Sequence, residues 1–418
     1  MAKYSESSGT YAVLFQYHYG WYTLGSTISL FGMWAHKLAI AWLAWQLTGS
    51  SFWVGAVTFF ELVPSIFMAP YAGVIADRYD RRLIALVSQI FGMLQAFFMG
   101  WLMLTGKLTE HADIWWVLWL SFFLGIVWSF NTAARLSMVP NLVEPKYIPP
   151  AIAFNSAIYN LARVVGPAMA GFIMARWGVG EAFIFNGITF LGFIVTLIMI
   201  RQIRTEEASR GKGGALAQSL EGLTYARRHK GIGPMLILLA AFAVGGKALF
   251  ELLPEFADHI FGRGTEGLAE LTATGGAGAL IASVWLAGRG TVTGLTRLVI
   301  TALLVAALAI FGFVVTDWFP LALASIALLG AAGVIGGTGT QTLMQHAVEG
   351  GLRGRVMSLY GLIHRGGPAL GAVTMGAMAE LMGIQLAVAT GGILCIVIWV
   401  WMMRRHATTA AALEATGD

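Results

Sequence analysis

Apolar runs too long for the core of a soluble domain recur twelve times along this 418-residue chain. They fall at 20–47, 52–76, 83–105, 114–137, 150–176 and 181–201, then at 232–256, 267–288, 296–316, 318–342, 355–380 and 384–403. A helix needs about 20 apolar residues to cross a bilayer, and a bilayer leaves the backbone no choice but helix or closed barrel. Barrel strands would read as alternating segments of about 10 residues, and none is seen. Apolar residues make up 57% of the chain and charged ones 11%, against about 25% charged in soluble domains. The mean hydropathy is +0.73. The fold class expected is therefore an all-α polytopic membrane protein of twelve transmembrane helices.

The breaks between runs carry turn chemistry, as in TGSS at 48–51, DRYDRR at 77–82, EPKYIPP at 144–150 and DWFP at 317–320. One polar insertion is long, 202–231, and within it Leu216, Leu220 and Leu223 recur at helical spacing ahead of Arg227 and Arg228. It reads as an amphipathic linker helix. The expected organisation is a six-helix bundle over 1–201, the linker over 202–231, and a second bundle with a short tail over 232–418.

Lys and Arg test the topology. With both termini in the cytoplasm, nineteen of the 26 lie on cytoplasmic segments, three (Lys107, Arg176, Arg263) on the opposite side, and four (Lys37, Arg163, Lys247, Arg365) inside spans. That bias is the positive-inside pattern, so the net charge of +5 is topogenic and calls for no nucleic acid partner. A single cysteine, Cys395, excludes a disulfide framework and a Cys-based zinc site. No Walker A loop or HExxH occurs, no cofactor is implied, and no catalytic constellation is present. The first apolar run is too long for the h-region of a cleavable signal peptide.

Spans 5 and 11 repeat one another. Tyr159-x-Leu161 with Gly166-Pro167-Ala168 matches Tyr360-x-Leu362 with Gly367-Pro368-Ala369 at a constant offset of 201, with Arg163 upstream of one Gly-Pro pair and His364-Arg365 upstream of the other. Two six-helix halves related by a parallel repeat follow from that offset.

At this point the chain resembles the major facilitator superfamily. Gly73-Val-Ile-Ala-Asp77-Arg78-Tyr-Asp80-Arg81-Arg82, between spans 2 and 3, is similar to that superfamily's signature loop, with Asp80 where the pattern often has Gly. Leu352-Arg-Gly-Arg-Val-Met-Ser-Leu-Tyr-Gly with Arg365-Gly-Gly-Pro368, and Pro140-Asn-Leu-Val143 running into Asn155 and Arg163-Val-Val-Gly-Pro167, resemble the bacterial branch of enterobactin exporters and macrolide efflux proteins. The resemblance implies alternating access of two halves, and a latch at the loop in which Gly73, Asp77, Arg78 and Arg82 act as gating residues. Gly73 is expected where span 2 approaches another helix closely. For Arg81 and Arg82, membrane anchoring is the competing reading.

Charges inside a span cost at least about 2.5 kcal/mol unless paired or wet, which makes each a candidate. Glu61 has no partner within its own span, and a desolvated carboxylate suits proton coupling. Glu251 is a second candidate, although Lys247 at i, i+4 offers to neutralise it. His36 and His364 can titrate in the working range. Lys37, Arg163, Lys247 and Arg365, with Asn155, Gln341 and Trp34, are the candidates for binding substrate. Gly245-Gly246 marks a pliable point in span 7, while Trp115, Trp116 and Trp318 read as interfacial anchors.

The expected function is a secondary transporter that exports an amphipathic small molecule, a siderophore or a drug, by proton antiport. The competing readings are import of a siderophore or similar solute, lipid or lysolipid movement on the same fold, and a membrane-embedded enzyme or channel. The expected partners are the substrate, the proton and membrane lipid, with the chain a monomer in the bacterial inner membrane.

Overall fold

The computed structural model describes residues 13–200, 215–289, 291–348 and 352–414. Among the described residues every regular element is helical. Span 1 is Tyr17–Thr48, span 2 Ser51–Arg78, span 3 Arg81–Leu104, span 4 Ile114–Met138, span 5 Ile148–Arg176 and span 6 Val179–Met199. The linker helix is Ala215–Arg228. Span 7 opens with Ile232–Ala241, and spans 8 to 12 are Gly264–Arg289, Leu295–Val315, Phe319–Ala347, Arg353–Met382 and Ile384–Leu413. Ten of these stretches meet the length and hydropathy of a membrane crossing among the described residues. Spans 1 and 11 do not, and they are the spans that spend apolar character on His36, Lys37, His364 and Arg365.

Two compact units result. One holds Met1–Leu43 with Phe60–Arg210, the other Ala44–Phe59 with Gly211–Asp418. The turn joining spans 1 and 2 thus groups with the second half of the sequence.

In the first unit, spans 1, 3 and 6 interlock where glycines admit their neighbours. A Cβ on Gly32 would overlap Thr189 Oγ1 and Asn186 Oδ1, and one on Gly92 would meet the Phe190 ring at 3.0 Å. One end of the bundle is closed by Tyr19, Tyr22, Ala134, Met138, Phe193 and Leu197, with the Tyr19 hydroxyl donating to Ala151 O at 2.8 Å. Asp80 has a local reason to stand in its loop, because its carboxylate caps span 3 by accepting from Arg82 N at 2.8 Å.

In the second unit, spans 8 and 10 approach reciprocally, with Gly278 against the Ala327 carbonyl and Gly330 against the Gly275 carbonyl. Small residues let backbones meet where apolar lipid supplies no driving force. Span 7 loses its α-helical register after Ala241. A π turn at Phe242–Gly246 is followed by a 3₁₀ stretch at Lys247–Glu251 and a second π turn at Phe256–Ile260. The pliable point read at Gly245-Gly246 is where the break begins, and Pro254, which lacks an N–H, prolongs it. Such π turns inside helices gather at functional sites.

Span 12 runs ten residues past its expected end, because Thr409 and Leu413 are buried. The linker helix packs on the start of span 11 through Gly222, where a Cβ would stand 3.0 Å from Arg355 O, and through buried Ala226. Leu223 is exposed instead, and the side chains of Leu216 and Leu220 lie outside the described residues.

Candidate functional site

The two Gly-Pro pairs do equivalent work in the two units. Gly166 of span 5 lies against Trp34 Cβ and, at 2.9 Å for an added Cβ, the Phe31 carbonyl of span 1. Gly367 of span 11 lies against Ala243 of span 7, and Gly371 one turn on lies against Val244 O. Each fifth span is thereby pressed onto the first span of its own six. One turn before each Gly-Pro stands a base, Arg163 or His364, related by the same offset of 201. Close helix contact turns that base toward a lysine of the opposing span.

In the first unit the cations gather on an indole. Lys37 Nζ and the Arg163 guanidinium carbon are each 5.8 Å from the centre of the Trp34 ring. Tyr159 meets the same ring edge to face at 5.8 Å. An aromatic face attracts cations through its quadrupole, so one ring tethers two charges that would otherwise repel.

In the second unit the arrangement is a directional chain. Lys247 Nζ is 3.0 Å from His364 Nε2, His364 Nδ1 is 3.3 Å from Tyr360 Oη, and the Tyr360 hydroxyl donates to Gly337 O at 3.2 Å. An ammonium has donors only, so Nε2 accepts and the proton of a neutral imidazole stands on Nδ1. The tyrosine stacks on that imidazole with ring centres 5.2 Å apart. Lys247 and His364 are half-buried and Tyr360 is buried, and the lysine sits on the irregular part of span 7.

Other candidates are placed separately. Glu61 is half-buried on span 2, with its carbonyl against Gly125 of span 4. Glu251 accepts from Thr58 Oγ1 at 3.2 Å. The expected i, i+4 relation to Lys247 falls in a 3₁₀ stretch, which aligns i with i+3 instead. His36 is buried at 4% exposure, edge-on to Phe183, and neither ring nitrogen has a hydrogen-bond partner among the described residues. Asn155 and Gln341 are half-buried, and Arg365 is exposed.

The loop between spans 2 and 3 carries the four gating candidates. Among the described residues a Cβ on Gly73 would meet nothing within 4 Å. Arg82 ends span 6, donating to Leu197 O at 2.5 Å and Ile198 O at 2.9 Å, where a cation complements the helix dipole. Arg78 is exposed, and the Asp77 side chain lies outside the described residues.

Sequence reasoning missed one constellation. The turn between spans 1 and 2 is held inside the second unit by four carboxylates, each accepting from a different donor. Trp45 Nε1 donates to Asp258 Oδ2 at 2.9 Å, Ser50 to Glu380, Ser51 to Glu255 and Thr58 to Glu251. Gly55 and Gly376 bring the backbones together, an added Cβ standing 2.6 Å from Ala372 C and from Ser51 O respectively. The partners are about 190 to 330 residues apart in sequence, and no spacing signals them.

The family profile described as "Transmembrane secretion effector" matches residues 8–416. The chain is 25% identical over 391 residues to a staphyloferrin A transporter of Staphylococcus aureus, covering 92% of this chain and 96% of that one. It is 23% identical over 395 residues to the enterobactin exporter EntS of Escherichia coli O6:K15:H31, covering 92% and 89%. Among solved structures, a bacterial homologue of the human lysosomal transporter Spinster, inward-facing and occupied, superposes with a TM-score of 0.72 at 15% identity, over 99% of this chain and all of that one.

Proposed function

Because the chain belongs to the transmembrane secretion effector family of major facilitator transporters, we propose that it exports an anionic amphipathic small molecule of the siderophore type in exchange for protons. The observation that carries this reading is the repeated pairing of a lysine with a second base, Lys37 with Arg163 on Trp34 and Lys247 with His364. Cations inside the spans of a membrane protein cost several kcal/mol unless paired or hydrated, and an anionic ligand would add a partner to the half-buried Lys37, Arg163 and Lys247. A cationic drug would meet like charge at Lys37, Arg163 and Lys247, which favours the siderophore class over the drug class. The aromatic faces of Trp34 and Tyr159 suit the apolar part of such a solute.

Export is taken from the relatives' names, and proton coupling from the titratable groups beside the bases. Glu61 is the leading proton site, with Glu251, His36 and His364 as alternatives. Alternating access requires each unit to bind the solute differently in its two states. A proton that neutralises Glu61 removes a half-buried charge from span 2.

The test is reconstitution in liposomes with an internal pH probe, imposed gradients, catecholate and carboxylate siderophores, and a macrolide. Siderophore-dependent proton movement that is lost in Glu61→Gln supports the reading. Proton movement that survives in Glu61→Gln transfers the coupling site to another group. Movement with the macrolide alone overturns the anion preference.

A further inference from the structure

The two units differ in their interiors. The buried polar side chains of the second unit are hydroxyls, whereas the first unit buries His36, Gln89, Gln95, Asn131, Asn141 and Asn186 as well. Seven atoms of four of these have no hydrogen-bond partner among the described residues: both ring nitrogens of His36, Nε2 of Gln89, and both amide atoms of Gln95 and of Asn131. Asn141 and Asn160 meet the need by donating to the Ser137 and Ser156 carbonyls one turn back, but these seven atoms make no such bond among the described residues. Leaving one unmet costs about 1–3 kcal/mol, and native interiors satisfy such groups with protein or with water.

Their depth can be read from the contacts around them. Ser29 donates to Gln89 Oε1 at 3.1 Å, joining spans 1 and 3. On one side of this bond, Gly92 and Trp128 both meet Phe190 of span 6, with the ring centres 6.4 Å apart for the tryptophan. On the other side, Arg135 donates to Ser26 and lies over Phe193 at 4.9 Å. Gln89 is three residues from Gly92, Ser29 three from Ser26, and Asn131 three from Trp128 and four from Arg135. One helical turn separates each step, so Asn131 shares the layer of Ser29 and Gln89, closed by aromatic rings on both sides.

That layer needs a particular kind of ligand. Gln89 Nε2 and Asn131 Nδ2 can only donate, while Asn131 Oδ1 can only accept. A cation would leave the donors unmet, and an anion would face the amide oxygen. Among the described residues, no Asp or Glu is in the buried polar set of this unit, as a cation site would require. Water both donates and accepts, and an internal water makes about three hydrogen bonds.

We propose that the first unit binds internal water in the layer of Ser29, Gln89 and Asn131, and again two turns along at His36 and at Gln95. The bound water replaces the missing protein partners and ties span 1 to its scaffold through exchangeable bonds. Arg135, one turn from the lower site, places a fixed positive charge against hydronium, so the layer holds water without forming a proton path.

The test compares two equally buried phenylalanines, Phe190 beside the layer and Phe242 in the second unit, each 1% exposed. Radiolytic hydroxyl labelling with mass spectrometry, which modifies side chains next to bound water, is run on the full chain in nanodiscs. Phe190 is expected to label several-fold faster than Phe242, and the double variant Gln89→Leu/Asn131→Leu to remove the difference. Equal labelling in the wild type overturns the proposal. A density map of the wild type that resolves ordered solvent is the second readout. A peak within hydrogen-bond distance of Gln89 and Asn131 supports the site; a direct Gln89–Asn131 bond overturns it, whether or not the double variant folds.

Discussion

Lys247 Nζ stands 3.0 Å from Nε2 of His364, on the two spans whose equivalents in the first unit bring Lys37 and Arg163 to one indole. The internal repeat has kept the pairing of a lysine with a base and changed the base. An arginine stays charged at every working pH, whereas an imidazole can gain or lose its proton. The second unit therefore carries the version of the pair that protonation can break.

Two substitutions separate these roles. His364→Gln keeps an acceptor for Lys247 and is expected to retain substrate binding while flattening the pH profile of transport. Lys247→Met removes the charge and is expected to weaken binding of an anionic substrate at least tenfold, about 1.4 kcal/mol. Binding measured by substrate-induced Trp quenching, beside transport in liposomes from pH 5.5 to 8, checks both. A His364→Gln profile identical to that of the wild type would remove the imidazole from the mechanism.

Close approach makes the glycines of spans 5 and 11 unforgiving. Gly166→Val would drive its side chain into Trp34 and the Phe31 carbonyl, and Gly367→Val into Ala243. Overpacking of this kind costs about 1–3 kcal/mol, so each is expected to lower the apparent Tm in detergent by several degrees. Gly73→Ala meets nothing within 4 Å among the described residues, and its Tm is expected to match that of the wild type. Differential scanning fluorimetry of the three variants side by side is sufficient.

The carboxylates that hold the turn between spans 1 and 2 are graded by what is left behind when one is lost. Asp258→Ala strands the Trp45 indole N–H, and Trp45 is only 3% exposed. An unmet buried donor costs about 1–3 kcal/mol. Asp258→Asn retains an acceptor oxygen and is expected to lose less than half as much. The ordering of Tm, wild type above Asn above Ala, checks the bond; equal values for the Asn and Ala variants would deny it a stabilising role.

How far the sequence could be read depended on whether a feature is local. Helix count, the break at Gly245-Gly246 and the Gly-Pro repeat are written within single spans, as length, as backbone freedom and as a fixed offset. The grip of Asp258, Glu255 and Glu380 on the Trp45–Thr58 turn is not, because each bond joins segments hundreds of residues apart and a serine or tryptophan carries no mark of its acceptor. Arg82 was legible as a cation at the membrane edge, but the carbonyls it caps belong to span 6, beyond any local pattern. His36 was legible as titratable, while its lack of a hydrogen-bond partner among the described residues depends on what Phe183 leaves room for.

The end of span 12 offers a test of pH dependence outside the membrane. Glu414 accepts from Gly294 N at 2.6 Å and from Thr296 N at 2.7 Å, so it caps span 9 from the far end of the chain. Those hydrogen bonds hold its pKa below the ordinary 4.5 against the opposing effect of partial burial, with His406 adding a favourable charge. A carboxylate with a depressed folded pKa stabilises the native state above its unfolded pKa, and the contribution disappears as pH falls through the folded value. Replacing an N-terminal cap costs about 0.5–2 kcal/mol, with solvent screening keeping this exposed example at the low end. Glu414→Gln is therefore expected to be less stable than the wild type at pH 7 and to converge with it as the pH falls through the depressed folded pKa of Glu414. Thermal unfolding of both proteins across pH 3.5 to 7 measures the gap. A constant gap across that range would show that the ionised carboxylate contributes nothing through its charge.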